Sequence, residues 1–283
     1  MNSAAQPPER LHEVRVYGIP LWVDAARLLG EGQWSFAKGA TNVTASGKLP
    51  RAAAARLQER LRNASLGGEN TLVHVTPALS RTVVREARLE EARARRDKTP
   101  GFLLRGTRVD DEGRFSLTPE ALAMDIAARV RGGSVVDACT GAGGNAIAFA
   151  RAGLEVTALE LSKERLALAR HNARVYGVED RIRFVAGDAR ELLPTLKADL
   201  LFLDPPWGED YDRRRSTADD LPLAGELLRC APVANFARVW LKAPPSFDPR
   251  SLEGATADMK VHALFGAGAG DFHRVKMLLV ELR

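Results

Sequence analysis

Cysteine is scarce in this chain of 283 residues. Its two cysteines, Cys139 and Cys230, are too few for a disulfide framework or a thiolate zinc cluster. The five histidines, His12, His74, His171, His262 and His273, show no ligand spacing, so no metal centre is expected. No run approaches the ~18 apolar residues of a membrane span. The opening MNSAAQPPER has no apolar core of the signal-peptide type. The expectation is a cytoplasmic protein with no membrane partner. Internal repeats and low-complexity tracts are absent too, which excludes solenoid and fibrous architectures.

The composition that is present, 45% hydrophobic and 27% charged, is that of a globular chain. Its length allows one large domain, or one of ordinary size with an appendage. The charge is uneven. Residues 1–110 hold 18 Lys+Arg against 11 Asp+Glu, whereas the remainder is slightly acidic. A basic half favours a polyanionic partner such as RNA, although a solvated basic face has the same composition.

Residues 12–110 are irregular in pattern. A short strand is expected at 12–18 and helices at 23–29 and 52–61. The clearest helix runs from Ser80 to Lys98, is stopped by Pro100-Gly101, and leads into a linker over 101–113. This predicts a small, basic, mainly helical N-terminal domain over 1–111. From Thr118 the rhythm changes. Thr118 is placed to cap a helix with Pro119 in its first turn. Strand-like segments at 134–138, 155–160, 183–186 and 199–203 then alternate with helix-like ones. That series predicts an α/β, Rossmann-like parallel sheet over 112–283. Segments 258–265 and 272–282 alternate apolar and polar residues around Gly266-Ala-Gly-Ala-Gly-Asp271, which predicts an antiparallel hairpin closing the sheet.

Residues 135–145, VVDACTGAGGN, form a glycine-rich turn between strand and helix. Such a turn brings backbone N–H groups to a ligand, and it also fits the G-x-G-x-x-G/A dinucleotide pattern with Glu160 at ribose distance. Three features weigh against a pyrophosphate. Asp137 ends the first strand, where a carboxylate repels phosphate and suits an ammonium group. Asp188 ends the third strand and can accept from an adenine amine. Asp204-Pro205-Pro206-Trp207 ends the fourth. In open α/β sheets ligands bind at the carboxyl ends of strands, and Asp137, Glu160, Asp188 and Asp204 all fall there.

This arrangement resembles class I S-adenosylmethionine (SAM)-dependent methyltransferases over residues 115–283. The resemblance implies a seven-stranded sheet, SAM as cofactor, and methylation of an exocyclic or amide nitrogen. The lone pair of such a nitrogen is delocalised. Asp204 and the carbonyl of Pro205, whose direction Pro206 helps to fix, would hold the NH2 hydrogens, and Trp207 would stack on a flat group. Four blocks in order, FSLTPE (115–120), VVDACTGAGGN (135–145), ARHNARVYGV (169–178) and FLDPPWGEDY (202–211), resemble the trimethylguanosine synthase family, the RNA cap guanine-N2 methyltransferases. That resemblance implies that Phe115, Thr118, Asp137, Gly141, Gly143, Asn145, Glu160, Asp188 and Ala189 face SAM. It further implies that Trp207 stacks on a base, with RNA or a nucleotide-like substrate as partner. Arg213 and Arg214 suit phosphate contacts. Two positions depart from the family: Asp204 stands where Ser is usual, and Glu209 where a glycine is usual. The alternatives are an amino methyltransferase acting on adenine N6, a protein amide or a small metabolite, and a non-catalytic SAM-fold RNA-binding module. Asn172, Tyr176, Trp34 and Trp240 are expected to pack in the core, and Cys139 to be a small buried residue of the turn.

Overall fold

The computed structural model describes residues 11–62, 64–94, 101–111, 113–207, 211–231, 233–252, 259–268 and 270–282. Lys98, Pro100 and Glu209, which figure in the expectations above, lie outside them. The N-terminal part comprises β1 (Leu11–Pro20), α1 (Ala25–Leu29), β2 (Gln33–Lys38), β3 (Asn42–Pro50), α2 (Arg51–Leu61), the two-residue strands β4 (Ser65–Leu66) and β5 (Glu69–Asn70), β6 (Leu72–Thr76) and α3 (Arg81–Ala94). It is not mainly helical. Its frame is an antiparallel sheet in the order β2-β3-β1-β6. In β1 the residues alternate, with His12, Val14 and Val16 buried and Glu13, Arg15 and Tyr17 turned outward. Leu28, Ala54, Leu57 and Leu61 of the helices cover the inner face together with Val14, Val16 and Ala45. The sequence hid the other strands for a physical reason. Edge strand β2 is exposed almost throughout, and β3 (NVTASGKLP) alternates with Val43, Ala45 and Leu49 inward, but its small residues give that period little hydrophobic contrast.

The second part runs α4 (Gly113–Ser116), α5 (Glu120–Ala128), β7 (Ser134–Asp137), α6 (Gly144–Arg151), β8 (Glu155–Glu160), α7 (Lys163–Val175), β9 (Ile182–Ala186), α8 (Ala189–Leu192), β10 (Ala198–Leu203), α9 (Pro222–Cys230), β11 (Phe236–Ala243), β12 (Met259–Phe265) and β13 (Val275–Leu282). Its seven strands are ordered β12-β13-β11-β10-β7-β8-β9. Strands β7 to β11 are parallel, and β13 and β12 add the antiparallel hairpin. This is the seven-stranded Rossmann-like arrangement expected above. Both faces are buried, as a parallel sheet requires. Val135, Leu200, Phe202 and Trp240 pack against α5 and α6, whereas Val136, Leu201, Leu203 and Leu241 pack against α9. Trp240 is core as expected, and Trp34 is half-buried.

Segment 101–110, expected to be a linker, is pinned to this second unit. Asn172, fully buried, accepts from the Arg108 N–H at 2.7 Å through Oδ1, and its Nδ2 donates to the carbonyls of Arg108 (2.8 Å) and Ala142 (2.9 Å). The Tyr176 hydroxyl accepts from the N–H groups of Leu103 and Leu104 and donates to Glu120. Asn172 and Tyr176 thus hold a chain segment by hydrogen bonds rather than merely filling space over the sheet. Among the described residues no helix is long and apolar enough to cross a membrane. Nor does any group of three or more His, Cys, Asp or Glu side chains there suit a metal ion.

Candidate active site

The sheet reverses its strand order between β7 and β10, which are neighbours in space but not in sequence. A crevice opens beyond the carboxyl ends of strands at such a point. Asp137 ends β7 and Asp204 directly follows β10. Asp137 is fully buried. Its Oδ2 accepts from Thr140 Oγ1 at 2.7 Å, and its Oδ1 has no hydrogen-bond partner among the described residues. Burial pushes its carboxyl up to about 7. The charges of Asp204 and Glu160 add to that rise, and the Thr140 hydroxyl opposes it.

The glycine turn follows. Gly141 has φ +54°, and a Cβ built there would meet no atom within 4 Å. Its N–H donates to Glu160 Oε2 at 2.9 Å, and the Ser162 N–H donates to Glu160 Oε1 at 3.0 Å. Gly143 has φ +95° and precedes α6. A Cβ there would lie 3.1 Å from the Ala169 Cα, so only glycine allows α6 and α7 to approach this closely. Asn145, in the first turn of α6, is buried and leaves Oδ1 unpartnered. An orphaned carboxylate oxygen, a second acid at the next strand end and open space at Gly141 together suit an extended, cationic, hydrogen-bonding cofactor.

Asp204 stands among donors. Its Oδ2 accepts from Lys242 Nζ (2.8 Å), Asn145 Nδ2 (2.9 Å) and Thr118 Oγ1 (3.5 Å). No described residue donates to Oδ1 or to the Pro205 carbonyl. Thr118 therefore does not cap α5, whose N-cap is Pro119 with no side-chain cap. Its hydroxyl turns toward Asp204 instead. Lys242, only 3% exposed, was missed by sequence reasoning. A signal existed, because Lys242 sits at the carboxyl end of β11, the same position that singled out the four acids. Its Nζ also lies over the Trp207 ring, 5.2 Å from the centroid.

Trp207 is half-buried and meets Tyr211 in a T-shaped pair with centroids 6.0 Å apart. The guanidinium of Arg213 lies 5.6 Å over the Tyr211 ring, and Arg214 is exposed beside it. Pro205 is buried and Pro206 exposed. Phe115 is 92% exposed, although its neighbour Ser116 reaches the site through a 3.5 Å contact from Lys242 to its carbonyl. Asp188 caps α8, in which Ala189 is the first residue, and both its oxygens are held by Arg190.

The chain after the tetrad is anchored from behind. Buried Asp248 accepts from Arg215 (2.8 Å) and Arg250 (2.9 Å), and Ser246 Oγ donates to the Asp212 carbonyl at 2.9 Å. Arg215 is exposed like Arg213 and Arg214, but its guanidinium is committed to Asp248. The N-terminal unit grips the same segment. Gly67 N–H donates to the Pro245 carbonyl at 2.9 Å, Arg250 pairs with Glu69 at 3.0 Å, and Trp22 joins the cores of both units.

Residues 132–221 match the family of RNA cap guanine-N2 methyltransferases. The trimethylguanosine synthase of Schizosaccharomyces pombe is 34% identical over 113 residues, 36% of this chain and 47% of that protein. The trimethylguanosine synthase of Saccharomyces cerevisiae is 36% identical over 158 residues, 51% of this chain and 49% of that protein. The ribosomal RNA small subunit methyltransferase J of Rhodopseudomonas palustris strain HaA2 is 33% identical over 132 residues, 41% of this chain and 61% of that protein. The chain spans about half the length of the two synthases it matches. The family match takes in Asp137, the glycine turn, Glu160, Asp188 and the tetrad, but not Phe115, Thr118 or Lys242.

Proposed function

We propose that this protein, whose Rossmann-like unit is a class I SAM-dependent methyltransferase domain, methylates the exocyclic N2 amine of guanine in RNA. One observation carries the reading. Three donors fix Asp204 Oδ2, so Oδ1 remains to accept a hydrogen from a planar amine. The Pro205 carbonyl is the second acceptor. Two acceptors in one plane hold both N–H bonds and turn the nitrogen lone pair out of conjugation. Methyl transfer is an in-line displacement, and positioning of this kind supplies much of the rate without a strong base. Trp207 offers the stacking surface, and Arg213 and Arg214 offer phosphate contacts beside it.

The residues fit SAM. Asp137 Oδ1 is a buried acceptor lacking a donor, and an ammonium group beside it would draw off its proton. Glu160 would take the ribose hydroxyls, and the Asp188–Ala189 corner the adenine. When bound, SAM supplies a methyl group on a sulfonium. The basic excess of residues 1–110 supports RNA as the partner of the N-terminal part. A second reading, methylation of adenine N6 or an amide nitrogen, is favoured by Asp204 standing where the family usually has Ser.

The test is incubation with isotope-labelled SAM and, separately, total RNA, 7-methylguanosine analogues and a metabolite extract. Products are identified by mass spectrometry. Label in N2-methylguanine that disappears in Asp204→Ala supports the reading. Label only in adenine, protein or metabolites overturns it.

A further inference from the structure

We infer that the open face of the N-terminal sheet binds a single-stranded stretch of RNA, with Tyr17 and His74 as stacking plates and Arg15 and Lys48 on the phosphates. The inference rests on the RNA reading above and names the surface that holds the strand. The order β1-α1-β2-β3-α2-β6, with β3 and β1 at the centre of the sheet, is a split βαβ arrangement. It puts the helices on one face, where Leu28, Ala54, Leu57 and Leu61 cover Val14 and Val16. On the opposite face Arg15, Lys48 and His74 are exposed, Tyr17 is 38% exposed and Leu72 is 67% exposed.

The register gathers these side chains. Arg15 lies opposite His74 on β6 and Ser46 on β3, so the three share one row across the sheet. Tyr17 faces Leu72 in the next row, and Glu13 faces Lys48 in the row on the other side. The four strands hold Arg15, Lys38 and Lys48 against Glu13 alone, and no described carboxylate pairs with Arg15 or Lys48. Arg15 and His74 side by side, with no acid between them, suit a shared anionic oxygen. Successive rows lie about 7 Å apart and the four strands span about 14 Å, which leaves room for two or three splayed nucleotides. An exposed tyrosine stacks on a base that is not already stacked on its neighbours, and this selects a single strand over a duplex. Helices α2 and α3 carry exposed arginines as well, Arg56 and Arg85 among them, but neither helix contains an aromatic residue. The face also adjoins the grip on the second unit. Gly18, next to Tyr17, lies so near β5 that a Cβ would stand 2.7 Å from the Asn70 carbonyl oxygen, and Glu69 of β5 pairs with Arg250 at 3.0 Å.

The experiment is fluorescence-anisotropy binding of a short, unstructured, end-labelled RNA to the full chain at several salt concentrations, with methylation of the same RNA followed separately. The double variant Arg15→Gln, Lys48→Gln is expected to weaken binding roughly tenfold and to lower the salt slope by about 1.4, at ~0.7 per phosphate contact. Tyr17→Val is expected to weaken binding about fivefold or more with the salt slope unchanged, whereas Tyr17→Phe retains the affinity. Arg56→Gln with Arg85→Gln is expected to bind like the wild type. Absence of RNA binding by the wild type overturns the inference, and so does equal affinity for a duplex of the same sequence. Wild-type affinity in both sheet variants, a loss in Tyr17→Phe equal to that in Tyr17→Val, or a loss confined to the helix variant overturns it too. RNA bound on this face but not methylated at guanine N2 overturns the proposed activity and leaves the surface standing.

Discussion

Asn145 donates its side-chain amide to Asp204 across 2.9 Å, and so ties the cofactor turn to the tetrad. The same residue lies in the first turn of helix α6, behind Gly143. The orientation of the Asp204 carboxylate is thereby linked to the glycine turn. Asn145→Ala should lower kcat roughly ten- to a hundredfold, because misplacement of a positioning group by about 1 Å has that effect. SAM affinity should change much less. Steady-state kinetics with labelled SAM and a separate binding titration distinguish the two. Asn145→Asp should be worse than Asn145→Ala, since it sets a second carboxylate against Asp204.

Asp137 predicts a pH dependence with a definite sign. An unfolded Asp loses its proton near 4, and the folded one keeps it to about 7. Folding therefore takes up a proton across this window, and the unliganded protein should lose stability as pH rises through it. SAM binding should run the other way and tighten as pH rises toward 7, because the ionised form receives the ammonium. Thermal unfolding at several pH values, with and without SAM, checks both slopes. In Asp137→Asn both should flatten, and SAM binding at pH 8 should weaken more than about tenfold.

The two positive-φ glycines of the turn should separate stability from binding. Gly143→Ala forces a Cβ to 3.1 Å from the Ala169 Cα in addition to its unfavourable φ, and should cost about 2 kcal/mol or more of stability. Gly141→Ala meets no atom within 4 Å and bears only the left-handed strain of about 1 kcal/mol. Its methyl group projects into the crevice, so its main effect should be on SAM affinity. Equal loss of melting temperature in both variants would contradict this division.

Asn172→Leu should remove two hydrogen bonds to Arg108 in segment 101–110 and one to Ala142, and leave the backbone groups of Arg108 and the buried Ala142 carbonyl without that partner. The expected cost is about 2–4 kcal/mol. Limited trypsin digestion should then cut after Arg105 or Arg108 in the variant while the wild type resists there.

The sequence carried the second unit well because its strands are buried on both faces and read as apolar runs closed by acids. Asp137 and the tetrad were legible for that reason, and so was the antiparallel hairpin. The N-terminal sheet was hidden because β2 is exposed almost throughout and the alternation of β3 runs through small residues of low hydrophobic contrast. Thr118 looked like a cap because Thr before Pro usually is one, and only the tertiary fold brings Asp204, 86 positions later, within reach of its hydroxyl. Lys242 was overlooked because a lysine in an apolar strand is normally an outward-facing charge. Its burial makes sense only when the partner carboxylate just past the end of the neighbouring strand is in view.

The grip of the N-terminal unit on residues 245–250 has an evolutionary corollary. The segment that Gly67 and Glu69 hold is the one that, through Asp248 and Ser246, supports the chain just beyond Trp207. The unit that carries Gly67 and Glu69 is therefore not a detachable accessory. Putting a different unit in its place would remove the hydrogen bond and ion pair that hold residues 245–250, and lineages that exchanged this unit would have had to supply those contacts from the new one.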